Sequence, residues 1–145
     1  MAAAAQAVAR ALGGRRALGR AVADDADLQS AIREGFPRAV LDEVLRTSGL
    51  GLRELASALD LSPRSLQRRR HSGRLAPLES DRLYRLARIF ALAQDILGDR
   101  ERAVHWLRTP IRALGHIAPL AALDTEPGAR QVENVLGRIA YGGIS

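Results

Sequence analysis

The 145-residue sequence contains no cysteine and no lysine, and only 3% of its residues are aromatic. Without cysteine the chain has no disulfides and no thiolate chemistry, so a reducing cytosol is its natural compartment and we expect a cytoplasmic protein. The scarcity of aromatic residues argues against nucleic-acid binding by base stacking. No apolar run approaches the roughly 20 residues that cross a bilayer, which predicts no membrane segment.

Motifs for catalysis, metal binding and nucleotide binding are also missing. The histidines His71, His105 and His116 have no cysteine partners and no H-x-x-x-H spacing, so we predict no metal site. No serine lies in a G-x-S-x-G context, and no G-x-G-x-x-G or P-loop pattern is present. We therefore expect neither a cofactor nor an enzymatic activity.

Arginine carries all the positive charge behind the formal net charge of +6, and it is unevenly distributed. Abundant alanine and arginine can simply reflect a GC-rich genome. Between Leu61 and Leu75, however, there are five arginines and no acid, whereas residues 99–145 hold six arginines against five acids. A basic stripe confined to one short segment is typical of a surface that binds a polyanion.

The segment Met1–Arg20 is rich in alanine and arginine and contains glycines at positions 13, 14 and 19. This composition predicts fraying or disorder, and we assign residues 1–26 to a flexible N-terminal segment. An organellar transit peptide is an alternative interpretation of the same composition.

Helical periodicity dominates the remaining sequence, and alternation typical of strands is not evident. Capping residues, prolines and glycines delimit the predicted helices. These are Asp27–Glu34, a helix opened by Pro37 and stopped by Gly49, Leu52–Leu59, a helix capped by Ser62 and ending near His71, and a long helix from Pro77 to Gly98.

Two of these helices, joined by the four-residue break 60–63 and the second of them basic, form a helix-turn-helix pattern. With Leu66 facing the core, a helical wheel turns Arg64, Arg68 and His71 outward, places Ser65 and Gln67 on the flanks, and brings Arg69 and Arg70 nearer the core. Arginine can read guanine and glutamine can pair with adenine, while serines at the helix start can reach phosphates. The candidate DNA-binding residues are Ser62, Arg64, Ser65, Gln67, Arg68, Arg69 and His71.

Two interpretations of this basic helix remain open. Its outward residues can contact DNA, or they can form a solvated arginine face on an ordinary helical bundle. Arg70, near the core side, is a candidate for a structural ion pair with an acid such as Glu54 or Glu79.

The last third predicts a series of short helices. Asp99 can cap Arg100–Leu107, and Thr109-Pro110 can begin a short helix that ends at Leu114. One further turn covers Pro119–Leu123, and Thr125 can cap a final helix that ends before Gly142. Trp106 fits either a core anchor or an interface residue.

The segment AVHWLRTPIRALGHIAPLAALDTEPGARQVENVLGRIAYG resembles the toxin-binding domain of the Xre/MbcA/ParS antitoxin family. One departure is His116-Ile117, where the family more often has glycine before a small or β-branched residue. The features that carry the resemblance are Trp106-Leu107, Thr109-Pro110, Ala113-Leu114-Gly115, Pro119-Leu120, Thr125-Glu126, Gly128-Ala129 and the ending Val132, Leu136, Ile139, Tyr141-Gly142.

The preceding stretch is similar to the helix-turn-helix part of the same family, through the arginines 68–70, Gly73-Arg74-Leu75, Glu79-Ser80 and Arg82-Leu83. The resemblance implies an all-α fold in which an Xre-like helix-turn-helix domain precedes a small helical toxin-binding domain. We place the first domain at residues 27–98 and the second at residues 99–145.

The resemblance also implies a function. Antitoxins of this family usually bind a RES-domain toxin that consumes NAD, cover its active-site cleft, and repress their own operon by binding promoter DNA. It implies a homodimer within a larger toxin–antitoxin complex. The residues expected to contact the toxin are Trp106, Arg138, Tyr141, Gly142, Gly143, Ile144 and Ser145. Alternatives are a stand-alone transcriptional regulator whose C-terminal domain only dimerises, and a helical adaptor without a DNA role.

Overall fold

The structure is a computed structural model that describes residues 4–142. These residues form nine α-helices and two short 3-10 turns, and within this range the only β-pairing is two isolated bridges. The helices are α1 (Ala5–Ala11), α2 (Gly14–Leu18), α3 (Asp25–Glu34), α4 (Ala39–Ser48), α5 (Leu52–Ala58), α6 (Pro63–His71), α7 (Pro77–Leu97), α8 (Arg100–Arg108) and α9 (Glu126–Ala140). The all-α prediction is confirmed. Across residues 4–142 no helix combines the length and apolarity that crossing a membrane requires.

The expectation of fraying at the start of the chain is wrong for α1 and α2. Val8, Leu12 and Leu18 are almost fully buried and belong to the common core. Gly13 joins the two helices with a φ of 103°, a conformation open mainly to glycine. Helix α1 packs against α7, and α2 packs against α4. The alanine-rich segment is therefore part of the packed core, and its apolar side chains contact helices that lie much later in the sequence.

The start of α4 differs slightly from the prediction. Pro37 lies before the helix, in a bridge with Arg74, and the N–H of Leu75 donates to the carbonyl of Phe36. The helix therefore begins at Ala39. It ends as expected at Gly49, which has a φ of 76°.

The break between α5 and α6 ends at the helix start that the sequence predicted. Asp60 has a φ of 56°, and the N–H of Leu61 returns to the carbonyl of Ala56 at 2.9 Å. The Ser62 hydroxyl accepts a hydrogen bond from the Ser65 N–H at 3.1 Å, and α6 begins at Pro63. This tight turn fixes the angle at which α6 leaves α5.

Helix α7 is the central element of the fold. It packs against α1, α3, α5, α8 and α9, and residues such as Leu83, Leu86 and Ile89 are fully buried along it. One hydrophobic cluster runs continuously from Val8 to Leu136. The N-terminal helices, the helix-turn-helix and the C-terminal helices thus share one core.

The segment between α8 and α9 corrects one detail of the prediction. Thr109 does not cap a following helix; it ends α8, and its hydroxyl donates to the His105 carbonyl at 2.6 Å. The chain then forms two 3-10 turns, Arg112–Leu114 and Pro119–Ala122. Thr125 caps α9 as predicted, accepting from the Gly128 N–H at 3.1 Å.

Candidate functional site

Helix α6 presents the outward face that the helical wheel predicted. Leu66 is fully buried against the core, while Arg64, Gln67, Arg68 and His71 are exposed. Leu66 holds one side of α6 against the core, so the side of the helix opposite Leu66 is exposed. An exposed polar face on the second helix is typical of a recognition helix, whose polar side chains contact base edges in the major groove.

The first turn of α6 is ordered by its own serines. Besides capping the helix, Ser62 donates its hydroxyl to Ser65 Oγ at 3.0 Å, and Arg68 Nη2 donates to the same oxygen at 3.2 Å. Ser65 Oγ thus accepts twice, which leaves its own proton to donate outward. A hydroxyl donor beside an arginine at a helix start is suited to a phosphate oxygen.

The two arginines on the core side of α6 are held by acids from neighbouring helices. Arg69 Nε donates to both oxygens of Glu79, at 3.1 and 3.2 Å. Burial would raise the pKa of Glu79, but hydrogen bonds from Arg69 and the Ala76 N–H outweigh it and lower that pKa. Arg70 forms the predicted ion pair with an acid, but its partner is Asp42 of α4 at 2.8 Å and neither Glu54 nor Glu79. A role for Arg69 at DNA stays a prediction, and its Nε is engaged elsewhere.

Two arginines that the sequence prediction missed brace the end of α6. Arg38 Nη1 donates to the carbonyl of His71 at 2.7 Å, and Arg74 Nη1 donates to the carbonyl of Gly35 at 2.9 Å. Both connect the α3–α4 junction to the α6–α7 junction. No local signal marks these contacts, because the two partners of each lie far apart in the sequence.

A second candidate surface lies on the exposed side of α9. Asn134, Arg138 and Tyr141 follow one another at helical spacing on the face opposite the buried Val132 and Leu136. Tyr141 is 82% exposed, an unusual position for a large aromatic side chain.

The other predicted toxin contacts are placed differently. Gly142 is exposed, with a φ of 78°. Gly143, Ile144 and Ser145 lie outside the described residues. Trp106 is half-buried and packs against the core, so it serves at least as a packing residue.

A partly buried ionic cluster joins α7 to α9. Arg88 Nη2 donates to Glu126 at 3.3 Å and to Glu133 at 3.1 Å, and its guanidinium lies 5.6 Å from the centre of the Tyr84 ring. Burial disfavours the charge on Arg88, but Glu133, Tyr84 and Glu126 together outweigh it and raise the pKa of Arg88. Arg85 adds a hydrogen bond to Glu126 at 3.2 Å. The sequence does contain a signal for this cluster, because Arg85 and Arg88 interrupt the apolar run of α7.

A second ion pair connects α5 to the end of α8. Arg108 donates to both oxygens of Glu54 at 2.7 Å and to the carbonyl of Gly49 at 3.0 Å. The hydrogen bonds from Arg108 hold the pKa of Glu54 below its usual range. Because Glu54 also accepts the Gly51 N–H at 2.9 Å, one carboxylate both caps α5 and anchors the C-terminal helices to it.

Metal binding finds no support in the part of the chain that the structure describes. No group of three histidine or acidic side chains within residues 4–142 could hold an ion. The described residues offer two exposed polar surfaces on one helical core, the outward face of α6 and the side of α9 that carries Asn134, Arg138 and Tyr141.

Comparison with known proteins identifies both regions. Residues 27–88 match the antitoxin Xre-like helix-turn-helix domain, and residues 92–142 match the antitoxin Xre/MbcA/ParS C-terminal toxin-binding domain. A protein of Yersinia enterocolitica named Antitoxin Xre is 38% identical over 120 residues, which cover 81% of each chain. The chain belongs to the Xre antitoxin family.

Other Xre antitoxins are similar over comparable lengths. That of Photorhabdus laumondii is 35% identical over 120 residues, covering 81% of each chain. That of Pseudomonas putida is 32% identical over 133 residues, covering 83% of this chain and 76% of the relative. Membership in this Xre family indicates a regulatory protein.

The Xre family domains meet inside α7, between residues 88 and 92, whereas the sequence prediction placed the boundary near Gly98. The ionic cluster that Arg88 forms with Glu126 and Glu133 lies at this junction. In this chain the two domains therefore share a helix as well as a core.

Proposed function

We propose that this antitoxin neutralises a RES-domain toxin by inserting the C-terminal end of α9 into the toxin's active-site cleft. The observation that carries the proposal is the exposure of Tyr141, one helical turn after Arg138, at the end of the toxin-binding domain. Tyrosine and arginine dominate the energetics of many protein interfaces, and Arg138 can form a bidentate contact with a carboxylate. The NAD-consuming RES toxin is the partner that the family resemblance supports.

We propose also that the antitoxin represses its own operon through α6. Arg64, Gln67 and Arg68 would enter the major groove, while Ser62, Ser65 and His71 would contact the edges of the site. Phosphate contacts release counterions, so the affinity should fall by orders of magnitude between low and physiological salt. A homodimer that reads a palindromic operator is the assembly we expect, within a larger complex that includes the toxin.

Co-purification tests the toxin partner. The antitoxin is expressed untagged together with the tagged product of the neighbouring gene, and capture is measured after a high-salt wash. Capture of the antitoxin with the tagged protein supports the proposal. If the two proteins do not associate, and the neighbour consumes no NAD, the stand-alone regulator becomes the better account.

A promoter-binding experiment tests the second part. Fluorescence anisotropy with a duplex from the region upstream of the gene, titrated at several salt concentrations, should show specific binding above a competitor duplex. Absence of binding at low salt would remove the DNA role and favour a helical adaptor.

A further inference from the structure

Gln67 belongs to a chain of hydrogen bonds that begins in another helix. Asp42 Oδ1 of α4 accepts from Arg70 Nε at 2.8 Å, and Arg70 Nη1 donates to Gln67 Oε1 at 3.3 Å. Gln67 Nε2 in turn lies 3.3 Å from His71 Nε2. The exposed amide on the flank of α6 is thus connected, through one arginine, to a carboxylate on α4.

These contacts fix which way the amide points. Arg70 can only donate, so it must meet the oxygen of Gln67, and the amide nitrogen must then face His71. The nitrogen can only donate as well, so His71 Nε2 is the acceptor of this contact. An amide flip would set the nitrogen of Gln67 against Arg70, and two donors cannot form a hydrogen bond.

The remaining hydrogen-bonding capacity of Gln67 matches one base. An amide oxygen accepts two hydrogen bonds and an amide nitrogen donates two, and one of each is already used. One acceptor and one donor remain. Adenine presents a donor at N6 beside an acceptor at N7, whereas guanine presents two acceptors in the major groove.

We propose that Asp42 is a positioning residue for base recognition, which acts through Arg70 to hold the Gln67 amide ready to read an adenine. This inference rests on the proposed binding of DNA through α6. Neither Asp42 nor Arg70 needs to touch DNA. Their effect is to hold in the free protein the orientation that the bound side chain needs, so less freedom is lost on binding.

Selection from a randomised duplex library tests the proposal. The full-length chain, Gln67→Ala, Asp42→Ala and the control Glu43→Ala are each used to enrich binding sites, which are then sequenced. Glu43 is a matched control because it lies next to Asp42 on α4, carries the same charge, and pairs with Arg46 rather than Arg70. Circular dichroism checks that the variants are folded.

We expect the full-length chain and Glu43→Ala to enrich an adenine at the same position of each half-site. Gln67→Ala should reduce the preference for that adenine by about 5- to 150-fold, the worth of one bidentate base contact. Asp42→Ala should reduce it part of the way at that position alone. Unchanged adenine preference in Asp42→Ala, or a guanine at the position lost in Gln67→Ala, would overturn the inference. If the full-length chain enriches no sequence, the proposed DNA binding itself fails.

Discussion

Helix α9 carries the proposed toxin surface, and one glycine sets its position on the rest of the molecule. Gly128 lies in the first turn of α9 against the Pro119–Ala122 turn. A Cβ built at this glycine would lie 1.9 Å from the carbonyl oxygen of Ala122 and 2.9 Å from its carbon. Both contacts are with backbone, so relief requires the helix to move by about an ångström or more, since ordinary contacts lie near 3.5–4.0 Å.

The substitution Gly128→Ala should therefore destabilise the protein. Alanine normally favours a helix over glycine by about 0.8–1.0 kcal/mol, and overpacking against fixed atoms typically costs about 1–3 kcal/mol. Because the clash is with backbone, we expect the upper part of that range and a net loss of about 1–2 kcal/mol. In a chain of this size such a loss lowers Tm by several degrees.

Gly137→Ala is the matched control in the same helix. A Cβ at Gly137 meets nothing within 4 Å, so only the helix-propensity gain remains, at most about 1 kcal/mol. Urea and thermal unfolding, followed by circular dichroism in the far ultraviolet, measure both variants. The reasoning predicts changes of opposite sign, and a Gly128→Ala protein at least as stable as the parent would refute it.

Three further predictions concern a strained residue, acid stability and DNA affinity. His116 has a φ of 66°, a conformation that costs a non-glycine residue about 1–2 kcal/mol. Glycine avoids this strain but loses about 0.5–1 kcal/mol in backbone entropy, so His116→Gly should raise the free energy of unfolding by up to about 1 kcal/mol. A lower free energy of unfolding in a urea titration would contradict this prediction. The pKa values of Glu54 and Glu79 are lowered in the folded state, so their stabilisation is present above the ordinary pKa of 4.5 and is lost as pH falls through the lower folded values. The double variant Glu54→Gln/Glu79→Gln should accordingly lose less stability than the parent between pH 5 and 3. If the free energy of unfolding falls with pH equally in both proteins, these ion pairs do not stabilise the fold as argued. Arg68→Ala should weaken specific DNA binding by about 1–3 kcal/mol if the side chain reads a base, and an unchanged affinity would remove it from the recognition surface.

The parts of the fold that depend on local chemistry could be predicted from the sequence. Ser62 and Pro63 determine where α6 begins, and the position of Leu66 determines which face turns outward. Thr125 likewise marks the start of α9. These features involve residues close to one another in the sequence, where helix geometry leaves few alternatives.

Features that depend on contacts between distant residues could not be predicted in the same way. Arg70 pairs with Asp42 rather than Glu54 or Glu79, because the distances between helices are not contained in their periodicities. The composition of the alanine-rich segment 5–18 is typical of a mobile tail, yet Leu12 and Leu18 are buried by α7 and neighbouring helices. Thr109 followed by proline is a helix-start signal, but here the hydroxyl closes the preceding helix instead.

The toxin-facing role of α9 is the central claim, and inhibition of NAD consumption tests it most directly. Purified product of the neighbouring gene is titrated with the full-length antitoxin, with a truncation that removes residues 141–145, and with Arg68→Ala as a control altered only on α6. NAD loss is followed at each ratio, and circular dichroism verifies the fold of each variant. The account predicts that the parent and Arg68→Ala suppress NAD loss equally and that the truncation does not. Full protection by the truncated chain would contradict it.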